Sequence, residues 1–175
     1  MLSLEIIESK VLEIQLKYFK RTPEQTGTCF YALELVGEIG EFLNIIKKNF
    51  RTSCEKKKEM YKEEISEEIA DIVISAIMLK LSLSREFSNL EIYVKNKYDN
   101  INDIQKKFAK ICCQTSNWYF NCVNNEMIYS DFILQYHKLI ENIATIALFF
   151  NIDLITAINL KLDKIILRVQ RGDYD

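Results

Sequence analysis

The chain has 175 residues, a formal net charge of −2 and 49% hydrophobic residues, with only four glycines and one proline. That length suits a single domain with a real core, and the scarcity of Gly and Pro excludes a turn-rich β fold in favour of long helices, so the expected class is all-α. Interspersed acids and bases exclude the broad positive face that duplex nucleic acid demands, and five cysteines without CxxC spacing beside a single histidine exclude the usual zinc sets.

Residues 2–20 carry Leu4, Ile7, Val11, Ile14 and Tyr18 at helical spacing, which predicts a first helix ending near the RTPEQTG loop marked by Pro23 and Gly27. A second helix is expected over 29–48. At about 100° per residue, Ala32, Leu35, Val36, Ile39, Phe42, Leu43 and Ile46 form one apolar stripe, with Glu34, Glu38 and Glu41 along its edge. Gly37 and Gly40 each cost about 1 kcal/mol against Ala in a helix interior, which points to close approach of another helix or a ligand.

Residues 49–55 read as a loop and 56–81 as a third helix, strongly charged in its first half and almost wholly apolar in its second. Tyr61, Ile65, Ile69, Ile72, Ala76 and Leu79 define its buried face, Glu68 lies inside that face and Asp71 at its edge. Residues 82–89 read as a turn with a new helix start. Leu90, Val94, Tyr98, Ile101, Ile104, Phe108 and Ile111 then continue at helical spacing, and Trp118, Tyr119 and Phe120 read as packing aromatics. A further helix is expected over 127–150. Asn151 or Asp153 offers an N-cap for the last helix, which carries NLKLDKIILRVQRG at 159–172.

The five thiols, Cys29, Cys54, Cys112, Cys113 and Cys122, read as reduced and mostly core residues of a cytoplasmic protein. The N-terminus has early acids and no apolar signal region. The longest apolar run, 69–83, is broken by Asp71 and Lys80, so no membrane span is expected.

The chemistry resides in two spacings, E-x-x-E at Glu38 and Glu41 and E-x-x-D at Glu68 and Asp71. Residues three apart on a helix are neighbours, so packed helices can offer four hard oxygen ligands, which suits magnesium, or manganese, better than zinc. A lone carboxylate in apolar surroundings would otherwise take up a proton. The charged run 59–68 also reads as a solvated helix face laced with Glu/Lys pairs, in which case the chain is a helical interaction protein. There is no Walker loop and no nucleophilic triad, and a di-iron bundle would want Glu-x-x-His pairs where the chain has one His137.

GEIGE at 37–41, EEIAD at 67–71 and the 159–172 ending occur in the order that resembles MazG-like nucleotide pyrophosphohydrolases of the all-α NTP pyrophosphatase superfamily, which includes the dimeric dUTPases. The match spans roughly 10–80 and 140–172. The resemblance implies a single domain over 1–175, with five to six helices around a four-helix MazG-like core and a poorly matched helical insertion at about 84–126. It implies magnesium-dependent cleavage of a nucleoside triphosphate to monophosphate and pyrophosphate, with Glu38, Glu41, Glu68 and Asp71 as metal ligands. Glu38 and Glu41 would be catalytic, with Glu34 or Glu64 as further proton acceptors. Lys47, Lys48, Lys161 and Arg168 would contact phosphates, Asn159 falls in a matching position of the family's ending, and Gln15, Tyr18 and Phe19 would contact the base. A homodimer or homotetramer follows from the same resemblance. The alternative is a catalytically inactive nucleotide-binding or regulatory module, in which the 84–126 segment has replaced part of the pocket.

Overall fold

A computed structural model describes residues 2–83, 91–92 and 101–173. The fold is all-α. Helix α1 (Leu4–Ile14) runs on into a π-helical turn at Gln15–Phe19, which ends at Lys20 in the left-handed region (φ 54°). The one-turn helix α2 (Pro23–Thr26) follows, then α3 (Thr28–Arg51), α4 (Glu55–Leu83), α5 (Ile101–Val123), α6 (Tyr129–Phe149) and α7 (Leu154–Gln170). Among the described residues there are thus six long helices, and α2 is an addition inside what reads as a loop.

Its cause is local. Thr22 accepts from the Gln25 backbone N–H, the Gln25 side chain accepts from the Thr22 N–H, and Pro23 opens the turn where a missing N–H costs nothing. At the other end of the chain Asp153 caps α7, its Oδ1 accepting from the Thr156 N–H at 2.7 Å.

Helix α4 is the hub, packing on α1, α2, α3, α6 and α7. From Ile69 to Ser82 almost every side chain is buried, as expected for a helix apolar on all sides. Ile65, Ile69, Ile72, Ala76 and Leu79 form its inner face with Tyr61 at the margin. Ala32, Leu35, Ile39, Phe42 and Ile46 of α3 pack into the same core. Phe42 meets Phe108 of α5 edge to face, with ring centroids 5.3 Å apart.

Inside this core lies a polar cluster that the helical pattern does not announce. Lys80 of α4 is 1% exposed and its Nζ donates to Glu8 Oε2 of α1 at 3.1 Å, while Tyr136 of α6 donates to Glu8 Oε1 at 2.9 Å. Burial, then the charge and hydrogen bond of Glu8, push the Tyr136 hydroxyl well above its usual range. Three helices are pinned in register by one carboxylate.

Several expectations are corrected. The loop after α3 is only 52–54, because α3 continues to Arg51 and α4 begins at Glu55. Glu91–Ile92 is not helical but pairs antiparallel with Leu2–Ser3, taking up backbone groups at the start of the chain. Leu90, Val94 and Tyr98 lie outside the described residues. Trp118 is buried against Phe132, as a packing aromatic should be, but Phe120 is 61% exposed on the outer side of α5.

The cysteines are free but not mostly core: Cys29, Cys54 and Cys113 are exposed and Cys122 alone is buried, where burial and then Cys29 push its thiol up to about 11. Nor do Gly37 and Gly40 admit a neighbouring helix of this chain. A Cβ at either would meet nothing within 4 Å among the described residues. Among the described residues no single helix is long and apolar enough to cross a membrane.

Candidate metal and phosphate site

The α3 and α4 helices pack along their lengths, so their edge carboxylates converge where the charged half of α4 gives way to its apolar half. Glu34, Glu38 and Glu41 from α3 and Glu68 and Asp71 from α4 line one pocket of about 840 Å³, closed by the π-helical turn and by α7. That volume lies in the range of small-molecule sites. Carboxylate oxygens of Glu38, Glu41 and Glu68 can all come within 4.8 Å of one another.

Asp71 lines the same pocket outside that set of three, accepting a hydrogen bond from Lys161 of α7. One turn further along α7, Lys164 bridges to Glu67 on the surface, and Lys10 of α1 donates to Asn159 at 2.7 Å. These contacts fix α7 across α4 and α1, which is the role the structure gives Asn159.

The clustered acids resist ionisation. Burial first, then the charges of Asp71, Glu41, Glu68 and Glu34, raise Glu38 to about 7; burial, Asp71 and Glu41 raise Glu68 to about 7 against the opposing pull of Lys161. Asp71 and Glu34 are also raised, by burial foremost, although Lys161 restrains the shift of Asp71. Burial opposes the charge on Lys161, but its bond to Asp71 and the charges of Asp71, Glu67 and Glu68 outweigh that and raise it.

Glu68 Oε2 is buried without a hydrogen-bond partner. An orphaned carboxylate oxygen among converging acids is a costly arrangement that a hard divalent cation would relieve. The residues present therefore fit magnesium or manganese, with Glu38, Glu41 and Glu68 as the holding set and Asp71 beside them.

The far end of the pocket is different in kind. Val11, Ile14, Phe19, Phe30 and Tyr31 give it an apolar and aromatic wall, and Gln15, Arg21 and Thr26 add polar groups. Gln15 donates from its side-chain amide to the Arg21 carbonyl at 3.3 Å, which ties the π-helical turn to the loop after it. Such wide turns recur at functional sites.

Of the residues singled out in the sequence, Glu34, Glu38, Glu41, Glu68, Asp71, Gln15, Phe19, Lys161 and Arg168 meet in this pocket. Lys47 and Lys48 do not: both are exposed, beyond the pocket on the continuing α3. Tyr18 is half-buried on the core, with the Lys17 ammonium 5.2 Å from its ring centroid, and Glu64 also stands off the wall. Phe30 and Tyr31 went unread, although Phe30 lies one turn before Glu34 on the same helix face. Arg21, in a loop, carries no periodic signal.

No protein-family model matches the chain, and no curated protein or solved structure matches it at a significant level. The functional reading rests on these residues and their placement.

Proposed function

We propose that the protein is a MazG-like, divalent-metal-dependent nucleoside triphosphate pyrophosphohydrolase. The observation that carries this is the meeting of E-x-x-E and E-x-x-D carboxylates in one pocket, with an orphaned buried oxygen on Glu68, together with Lys161, Arg168 and the aromatic residues Phe19, Phe30 and Tyr31. Acids alone would suit any cation. Acids with cations and an aromatic end suit a metal-chelated polyphosphate attached to a base.

When bound, magnesium would neutralise phosphate oxygens and lower the pKa of a water. The chain's own groups divide the remaining work. Glu38, Glu41 and Glu68 would hold the cation, Lys161 and Arg168 would offset charge on the phosphates, and the wall of Phe19, Phe30 and Tyr31 would receive the base. Water attacks the α-phosphorus, its oxygen forms the new P–O bond, the bond to the bridging β-phosphate oxygen breaks, and monophosphate and pyrophosphate leave. A carboxylate whose pKa is raised by burial accepts a proton more readily than an ordinary one, and Glu34, which lines the pocket outside the three-carboxylate set, is our candidate acceptor for the proton of that water.

The same reading expects a homodimer. Phe30, which lines the pocket, and Leu33, on the same helix, are each 53% exposed, and Gly37 and Gly40 continue that open side of α3. Sedimentation at working concentration checks this, and a strictly monomeric species contradicts it.

The test of function is a panel of canonical and modified nucleoside triphosphates incubated with magnesium or with EDTA, and products separated by chromatography. Monophosphate with pyrophosphate, lost in EDTA, is the expected result. Tight nucleotide binding without turnover would replace the enzyme with a nucleotide-binding module.

A further inference from the structure

We infer that Lys161 is the resident counter-ion of the acidic site, held on Asp71 until a divalent cation claims that carboxylate and frees the ammonium for the substrate's phosphate. This rests on the pyrophosphohydrolase reading and says how its two charged ligands are linked. Asp71 belongs with the cluster by proximity, since its charge acts on Glu34, Glu38 and Glu68. Yet it is not among the three carboxylates whose oxygens converge; its Oδ2 is taken by Lys161 Nζ, with the two side chains only 16% and 18% exposed. The chain has placed its own cation on the fourth acid of a four-acid set.

The release needs no backbone movement. Helix α7 is anchored by buried Leu154, Ala157, Ile158 and Leu162, and by the Lys10–Asn159 and Lys164–Glu67 contacts. Lysine is a compact charge on a flexible four-carbon stem, so the ammonium can change partners while α7 stays fixed; arginine's rigid fork is less suited to that exchange. Because one ammonium serves either Asp71 or a phosphate, cation and polyphosphate reinforce each other's binding, and the coupling is reciprocal. Without phosphate, Lys161 works against the metal.

The test is manganese binding to the full-length protein, followed by the loss of free-ion paramagnetic resonance signal, with no nucleotide present. Lys161→Gln is expected to tighten the manganese Kd by about tenfold. Lys161→Arg and Lys164→Gln are expected to stay within about twofold of wild type, since the first keeps the charge and the second removes an exposed one from outside the pocket. In an Asp71→Asn background, Lys161→Gln should give no further gain, because nothing remains to compete for.

Equal or weaker binding by Lys161→Gln overturns the inference. So does an equal gain in Lys164→Gln, or a gain that persists with Asp71→Asn, either of which reveals a general charge effect. Wild-type protein that binds no manganese, or binds it unchanged by Glu38→Gln, overturns the metal reading and this inference together. Normal wild-type binding with an inert Lys161→Gln overturns the inference alone.

Discussion

Glu68→Gln removes a charge from the acidic cluster and leaves its shape, so its effect on stability should grow from zero with pH and change sign when metal is added. Glu68 and Glu38 titrate near 7 in the folded chain against 4.5 for an ordinary glutamate. The folded state therefore binds protons more tightly than the unfolded one. The electrostatic cost is absent below 4.5, grows as pH rises, and is complete above about 7. Counted in full, each shift would be worth about 3 kcal/mol. Both side chains lie partly exposed along an open pocket where solvent screens them, and about 1 kcal/mol each is the figure to expect.

Urea unfolding in EDTA should show wild-type stability falling between pH 4.5 and pH 8. Glu68→Gln should be about 1 kcal/mol more stable than wild type at pH 8 and equal to it at pH 4.5. Adding magnesium at about a hundredfold over its Kd should stabilise wild type by about 2.7 kcal/mol and the variant far less. A variant less stable than wild type at pH 8 in EDTA, or a wild type whose stability is flat across this range, would refute the reasoning.

Two further outcomes test the fold. Lys80→Met takes the ammonium from the buried Glu8 carboxylate, which keeps its bond from Tyr136, and should cost about 3 kcal/mol in urea unfolding, against about 1 kcal/mol for Tyr136→Phe, which removes one hydrogen bond; a Lys80→Met loss under 1 kcal/mol contradicts the buried pair. Gly37→Ala should raise the thermal stability of dilute monomer by up to about 1 kcal/mol, because the added methyl meets open space. A fall would contradict the space beside Gly37.

How far these features were legible varies with the range of the interaction that makes them. The α3 stripe and the apolar half of α4 follow from spacing alone, since residues such as Leu35, Ile39 and Ile72 repeat at the helical period. The acidic pairs were legible for the same reason. Their convergence follows once the two helices pack.

The Glu8–Lys80–Tyr136 cluster was harder, because its members are 72 and 128 residues apart. The signal available was Glu8 itself, one turn after Leu4 on the stripe with Ile7 and Val11, a charged residue on an apolar face. The pairing of Glu91–Ile92 with Leu2–Ser3 joins two residues to two across about half of the chain, and no local pattern reports that. Lys47 and Lys48 came from a resemblance and not from periodicity. They fall outside the pocket because α3 simply continues past it.

Turnover by wild type and by Glu68→Gln, side by side in magnesium at pH 8, bears most directly on the central claim that these acids form a catalytic metal site. The wild type should release monophosphate and pyrophosphate from a nucleoside triphosphate. The variant, folded and more stable in EDTA, should fall by at least about a hundredfold, as loss of a placed charge does in other active sites. A Glu68→Gln protein that turns over like wild type would place the metal, or the chemistry, elsewhere.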